Sequence, residues 1–161
     1  MNNVFLGIGT NIGNREKNLK YAIISINKFI GTILKTSCIY ETEPWGFNTE
    51  DQFLNMVIEV ETNLSPSALL LMINRIETLL GRNRNEKKYV SRAIDIDILL
   101  YKDQIINDGN LEIPHPLMHK RKFVMVPLNE IASDFEHPVF KKSIASLLNV
   151  CNDKSRVKLF K

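Results

Sequence analysis

Asp95-Ile96-Asp97 is the segment whose residue types and spacing say most about chemistry. On a β-strand, side chains two apart share a face and stand roughly 6–7 Å apart along the backbone. Two carboxylates so placed can lean together and share a pair of divalent cations about 3.5–4 Å apart. Magnesium suits such a pair, because it takes one or two carboxylates, keeps several waters and binds substrate phosphates. The same pattern also describes a solvated acidic sheet face, although like charges side by side are unfavourable there without a cation. Immediately upstream, residues 82–92 carry Arg82, Arg84, Lys87, Lys88 and Arg92 against a single acid, Glu86. A second basic cluster is His119-Lys120-Arg121-Lys122. A charge run alone is an ordinary solvated face. Beside Asp95 and Asp97 it also fits phosphate handling, since arginine forks pair with phosphate oxygens and carboxylates hold the metal of a nucleoside triphosphate.

Other residues are more ambiguous. Gly7, Gly9 and Gly13 fall between a strand and a helix, but their spacing is neither the dinucleotide fingerprint nor a phosphate loop. They read as backbone freedom or close approach to a ligand. His115 lies between Pro114 and Pro116, a stiff setting that aims an imidazole at a phosphate or serves structure alone. Phe53 and Phe123 are core residues or, if both face a pocket, a clamp for a flat heterocycle. Cys38 and Cys151 are far apart and in no metal-ligand spacing, so both are expected to be reduced and buried. No Ser-His-Asp or Cys-His arrangement is legible.

The elements that must position these residues follow from periodicity. Val4–Thr10 reads as a strand, and a helix follows Asn14 with Leu19, Ala22, Ile23, Ile26 and Ile30 on one face and Gly31 as its stop. Ile33–Tyr40 is a weaker strand pattern. Phe53–Glu61 alternates cleanly, with Leu54, Met56, Ile58 and Val60 facing one way and Phe53, Asn55, Val57 and Glu59 the other. Ser65-Pro66 opens a second helix, with Leu69, Ile73, Ile76 and Leu80 buried and Gly81 ending it. Ile94–Tyr101 is a further strand, and Asn107-Asp108-Gly109-Asn110 marks a hairpin. These elements predict an α+β sandwich with helices on one sheet face. The other face would carry Gly7, Gly9, Phe53, Asn55, Asp95 and Asp97.

Composition sets the outer bounds. The chain has 161 residues, 44% hydrophobic and 24% charged, with a net charge of +3. These are the values of one globular domain over 1–161, and they exclude a disordered chain or a disulfide scaffold. The charge is too mild to make nucleic acid the main partner. No apolar run reaches the roughly 18 residues of a membrane helix, and Met1-Asn2-Asn3-Val4 lacks signal-peptide character. A cytoplasmic setting without membrane contact is expected.

The run Lys88-Tyr-Val-Ser-Arg92-Ala-Ile-Asp95-Ile-Asp97-Ile-Leu-Leu-Tyr101 resembles the signature of the 6-hydroxymethyl-7,8-dihydropterin pyrophosphokinase family. So do Gly7-Ile-Gly-Thr-Asn11, Tyr40-Glu-Thr-Glu-Pro-Trp-Gly46, Phe53-Leu-Asn55, Glu77 to Arg84 and Ile113-Pro-His-Pro116, in the family's order. The resemblance implies a ferredoxin-like βαββαβ sandwich with an added hairpin and short C-terminal helices. It implies transfer of an intact pyrophosphoryl group from ATP to the hydroxymethyl oxygen of the reduced pterin, releasing AMP, in folate biosynthesis. Asp95 and Asp97 would hold two magnesium ions, and Arg82 and Arg92 would act on the phosphates from a closing loop. Glu77, Arg84, Ile98, His115 and Arg121 would contact ATP. Phe53 and Phe123 would sandwich the pterin, while Asn55 and main-chain groups near Thr42, Pro44, Trp45 and Gly46 read its polar edge. A monomer is expected. Tyr89, Val90, Phe53 and Pro116 depart from the family's commonest residues, which bears on loop closure and affinity. Two other classes fit parts of the pattern: a nucleic-acid module stacking bases on Phe53 and Phe123, and a two-metal phosphohydrolase. Neither accounts for the extended match.

Overall fold

Strand and helix periods are written clearly enough in this chain that the main elements fall where the apolar spacing puts them. The computed structural model describes residues 1–45, 51–81 and 93–161. In chain order they are β1 (Asn2–Thr10), α1 (Arg15–Phe29), β2 (Gly31–Thr36), β3 (Tyr40–Thr42), β4 (Phe53–Thr62), α2 (Pro66–Leu79) and β5 (Asp95–Tyr101). A hairpin of β6 (Ile106–Asn107) and β7 (Glu112–Ile113) follows, then a 3-10 turn at Met118–Lys120, α3 (Lys122–Ala132), α4 (Ile144–Asn149) and β8 (Val157–Leu159).

The helix ends have local causes. The Asn14 side chain accepts the Lys17 N–H and so caps α1; Ser65 does the same for Ala68 in α2, with Pro66 at the first helical position. Gly81, at φ +95, supplies the left-handed residue that stops α2. Gly31 belongs to the first position of β2, so the stop of α1 falls at Ile30.

The main sheet runs β5-β1-β4-β3-β8, with β2 pairing on β4 as well, and every pairing is antiparallel. The expected single strand over 33–40 is therefore two. At Ser37 the backbone still bonds Val57, but the Ser37 hydroxyl accepts the Val57 N–H and donates to the Cys38 carbonyl. A side chain competing for ladder bonds ends β2 there, and pairing resumes at Tyr40.

The α1 and α2 helices cover one sheet face, as their stripes predict. Leu19, Ala22 and Ile26 of α1 and Leu69, Ile73 and Ile76 of α2 pack on Leu6, Ile8, Leu54, Ile58, Ile96 and Ile98. Each of these leucines and isoleucines contributes about 1.5–3 kcal/mol by leaving water. The opposite face changes character along its length. Phe5, Val57 and Leu99 at one end are roofed by Met118, Val124, Met125, Leu128, Ile144 and Leu147 of the C-terminal elements. At the other end the strands carry Gly7, Gly9, Asn55, Asp95 and Asp97. Neither cysteine is buried as expected. Cys38 lies in the β2–β3 turn and Cys151 follows α4, and both are free thiols with partial exposure. Among the described residues no helix is long and apolar enough to cross a membrane.

Candidate active site

Register builds the site. Asp95 pairs with Gly9, Gly9 with Asn55, and Asn55 with Tyr40; Asp97 pairs with Gly7 and Gly7 with Val57. Directly paired residues of an antiparallel ladder share a face, so both aspartates lie on one face with a glycine beside each. A Cβ at Gly9 would stand 2.8 Å from Asn55 Oδ1 and 3.9 Å from the Phe53 ring. Glycine there leaves a trough across β1, with carboxylates on one bank and the Asn55 amide and Phe53 on the other. Asn55 is buried, and its Nδ2 donates to Thr42 Oγ1 at 2.7 Å, which fixes the amide plane.

The aspartate strand is the outermost of the sheet, and two side chains hold it. Glu77 of α2, only 1% exposed, accepts the Ile96 N–H on Oε1 at 2.8 Å, satisfying a donor that points away from the ladder. The Thr10 hydroxyl donates to the Ala93 carbonyl at 2.5 Å, where the basic segment enters β5. Of the two residues expected at the nucleotide here, Glu77 thus bonds the strand backbone. The other, Ile98, buries its side chain in the α1/α2 core, on the far face from the carboxylates, so only its main chain on the outer strand is open to a nucleotide.

His115 and Arg121 form the other bank of the aspartate corner. The His115 N–H donates to the Leu99 carbonyl at 2.9 Å, tying the residue to β5. Its Nδ1 accepts the Leu117 N–H at 3.1 Å, which leaves the neutral ring's proton on Nε2. Burial, then the neighbouring Arg121 charge, pull its pKa down to about 4. Nε2 lies 3.5 Å from Arg121 Nη1, and Nη1 lies 3.8 Å from Asp97 Oδ2. The Arg121 side chain is 11% exposed, and its Nε is buried with no hydrogen-bond acceptor among the described residues. Two adjacent donors on neighbouring side chains, one of them cationic, suit an oxyanion.

Arg121 also sits against aromatic rings, 4.7 Å from the Trp45 centroid and 5.8 Å from that of Phe123. The Trp45 and Phe123 rings are 6.4 Å apart and inclined at 59°. The ring that Phe123 meets here is thus Trp45, of which only main-chain groups were expected to contribute. The signal was present, since Trp45 is the chain's one tryptophan and lies within the Tyr40–Gly46 motif. Thr42 is buried and Pro44 half-buried at the same rim. Arg82, Arg84, Arg92 and Gly46, with Tyr89 and Val90, lie outside the described residues.

The donor set fits magnesium. Among the described residues no group of three or more acidic, histidine or cysteine side chains makes a protein cage. Two carboxylates beside side-chain-free glycines instead match an ion that keeps its waters and takes phosphate oxygens.

Comparison with known proteins bears on the family of the chain. A family model described as 7,8-dihydro-6-hydroxymethylpterin-pyrophosphokinase matches residues 5–133. The 2-amino-4-hydroxy-6-hydroxymethyldihydropteridine pyrophosphokinase of Aquifex aeolicus is 42% identical over 144 residues, 89% of each chain. The Bacillus subtilis protein of the same name is 42% identical over 138 residues, 84% of this chain and 82% of its own. Among solved structures, wild-type Plasmodium falciparum HPPK-DHPS superposes with a TM-score of 0.76 at 20% identity, covering 92% of this chain. The present chain spans 44% of that one.

Proposed function

The chain belongs to the 7,8-dihydro-6-hydroxymethylpterin-pyrophosphokinase family, and from that premise we propose how its residues divide the work. The reaction is pyrophosphoryl transfer to the hydroxymethyl group of 6-hydroxymethyl-7,8-dihydropterin, a step of folate biosynthesis. ATP is the donor and AMP the leaving product. The observation that carries the residue assignment is the 3.8 Å approach of Arg121 to Asp97, with Phe123 two residues further along. A phosphate-binding corner and a flat-ring corner meet there, as they must if a pterin hydroxymethyl is to reach a triphosphate.

Transfer of this kind asks for alignment and charge neutralisation more than covalent chemistry. Asp95 and Asp97 would hold two magnesium ions, which neutralise the triphosphate and act as Lewis acids toward its oxygens. His115, neutral and with its proton on Nε2, donates to a phosphate oxygen. At that nitrogen it cannot serve as the base that takes the acceptor's proton. Arg121 donates alongside it, and drawing the guanidinium onto phosphate opens the Phe123 and Trp45 faces to the pterin. Asn55, fixed by Thr42, reads the ring's polar edge, and Phe53 covers the trough. Arg82, Arg84 and Arg92 neutralise the phosphates from the basic segment and exclude water. The working unit is the whole span 1–161, a cytoplasmic monomer.

Asp97→Ala tests the assignment. Its side chain is partly exposed on a polar face, so the thermal midpoint should stay within a few degrees of the parent's while turnover falls by about 10²–10³-fold. A folded variant with near-normal activity would remove Asp97 from the metal site.

A further inference from the structure

Thr42 and Phe53 pair across the β3–β4 ladder and close the segment between them, which carries Pro44 and Trp45 of the proposed pterin rim. The two stems of that segment meet a single side chain. Arg15, the first residue of α1, bonds Glu41 Oε2 through Nη2 at 2.9 Å and donates from Nη1 to the Gln52 carbonyl at 2.8 Å. Glu41 immediately precedes Thr42, and Gln52 immediately precedes Phe53. Because successive strand residues face opposite ways, Glu41 reaches down to α1 while Thr42 faces up to Asn55. The guanidinium also lies 5.9 Å from the Phe160 ring, whose chain continues from β8 along the far side of β3.

We propose that Arg15 is a positioning residue for pterin recognition, fastening both stems of the Thr42–Phe53 segment from beneath the sheet. The inference rests on the pterin site proposed above. Two acceptors lie in different directions, a carboxylate on one stem and a main-chain carbonyl on the other. A planar fork of donors serves both at once, and a lysine ammonium holds such a pair less rigidly. The ion pair is about a quarter exposed on each side, where such pairs contribute little to global stability. Its effect is therefore on where Thr42, Asn55 and Trp45 sit, and not on whether the chain folds. Misplacement by about 1 Å is enough to lower turnover or binding severely.

The test compares Arg15→Ala and Arg15→Lys with the parent, using Asn55→Ala and Phe123→Ala as variants of the site itself. The readouts are KM for the pterin, KM for ATP, kcat, the thermal midpoint and the Trp45 fluorescence change on adding pterin. Arg15→Ala should raise the pterin KM about tenfold, with ATP KM and midpoint close to the parent's, and Arg15→Lys should recover part of the loss. An unchanged pterin KM in folded Arg15→Ala overturns the proposal. So does a joint rise of both KM values with a lowered midpoint, which marks a general structural role. If Arg15→Ala fails to fold, Glu41→Gln loosens the same tie from the other stem and must give the same split; equal KM values to the parent's overturn the proposal there too. If Asn55→Ala and Phe123→Ala leave the pterin KM unchanged, the site reading itself fails. If they raise it and Arg15→Ala does not, only the role of Arg15 fails.

Discussion

Lys122 links the two side chains on which the site turns, Arg121 and Phe123, and its backbone N–H donates to Asp153 Oδ2 at 2.9 Å. The other oxygen of Asp153 accepts the Ser155 N–H at 2.9 Å. Arg121 occupies the N-cap position of α3 but makes no side-chain cap bond, so a residue from beyond α4 does the capping. Partial burial works to raise the pKa of Asp153, but the Ser155 and Lys122 N–H bonds outweigh it and hold the carboxyl below its ordinary value of 3.8. A depressed carboxyl stabilises the fold above the unfolded-state pKa, and that stability is lost as pH falls through the folded-state value. Asp153→Ala should therefore cost about 1 kcal/mol at neutral pH by denaturant unfolding, and the gap between parent and variant should narrow below about pH 4. At this scale the sequence was informative where one residue type has one use. Asp95 and Asp97 stood out because a period of two puts carboxylates on one face. Asp153 and Arg15 did not, because their partners, Lys122, Glu41 and Gln52, are fixed by tertiary approach that no local spacing encodes.

Glu77 plays the same part between elements, joining α2 to the outer edge of β5. Removing its carboxylate leaves the Ile96 N–H buried without an acceptor, a loss of at least about 1–3 kcal/mol. Glu77→Ala should show that loss in unfolding experiments and faster hydrogen exchange at the Ile96 amide. Glu77→Gln, which keeps an oxygen acceptor, should lose less; equal loss in both variants would show that the negative charge, and not the bond to β5, is what matters. Elements with sustained periods or explicit punctuation were legible: β1, β4 and β5 by alternation, α1 and α2 by their stripes, and their ends by Asn14, Ser65 and Gly81. The break between β2 and β3 was not, since a single hydroxyl at Ser37 decides it. Nor was β8, whose three residues carry too little pattern to register and which exists because β3 offers it an edge.

Across the whole molecule, one sheet serves two purposes by dividing its second face. The apolar end, Phe5, Val57 and Leu99, is covered by α3 and α4. That packing sets Phe123 and Arg121 over the boundary with the glycine and carboxylate end. The strand pattern alone showed which residues shared that face, but not that the C-terminal helices would cover part of it, because a helix stripe says that it must be buried and not against what. The resulting junction brings the His115 and Arg121 donors, the Asp97 carboxylate and the Phe123 and Trp45 rings together, the arrangement that the proposed joining of a triphosphate to a flat acceptor requires. The most direct test of this account is the identity of the nucleotide product when the purified protein is given ATP, magnesium and 6-hydroxymethyl-7,8-dihydropterin. AMP should form, and only when the pterin is present. ADP and phosphate, or nucleotide breakdown indifferent to the pterin, would contradict it.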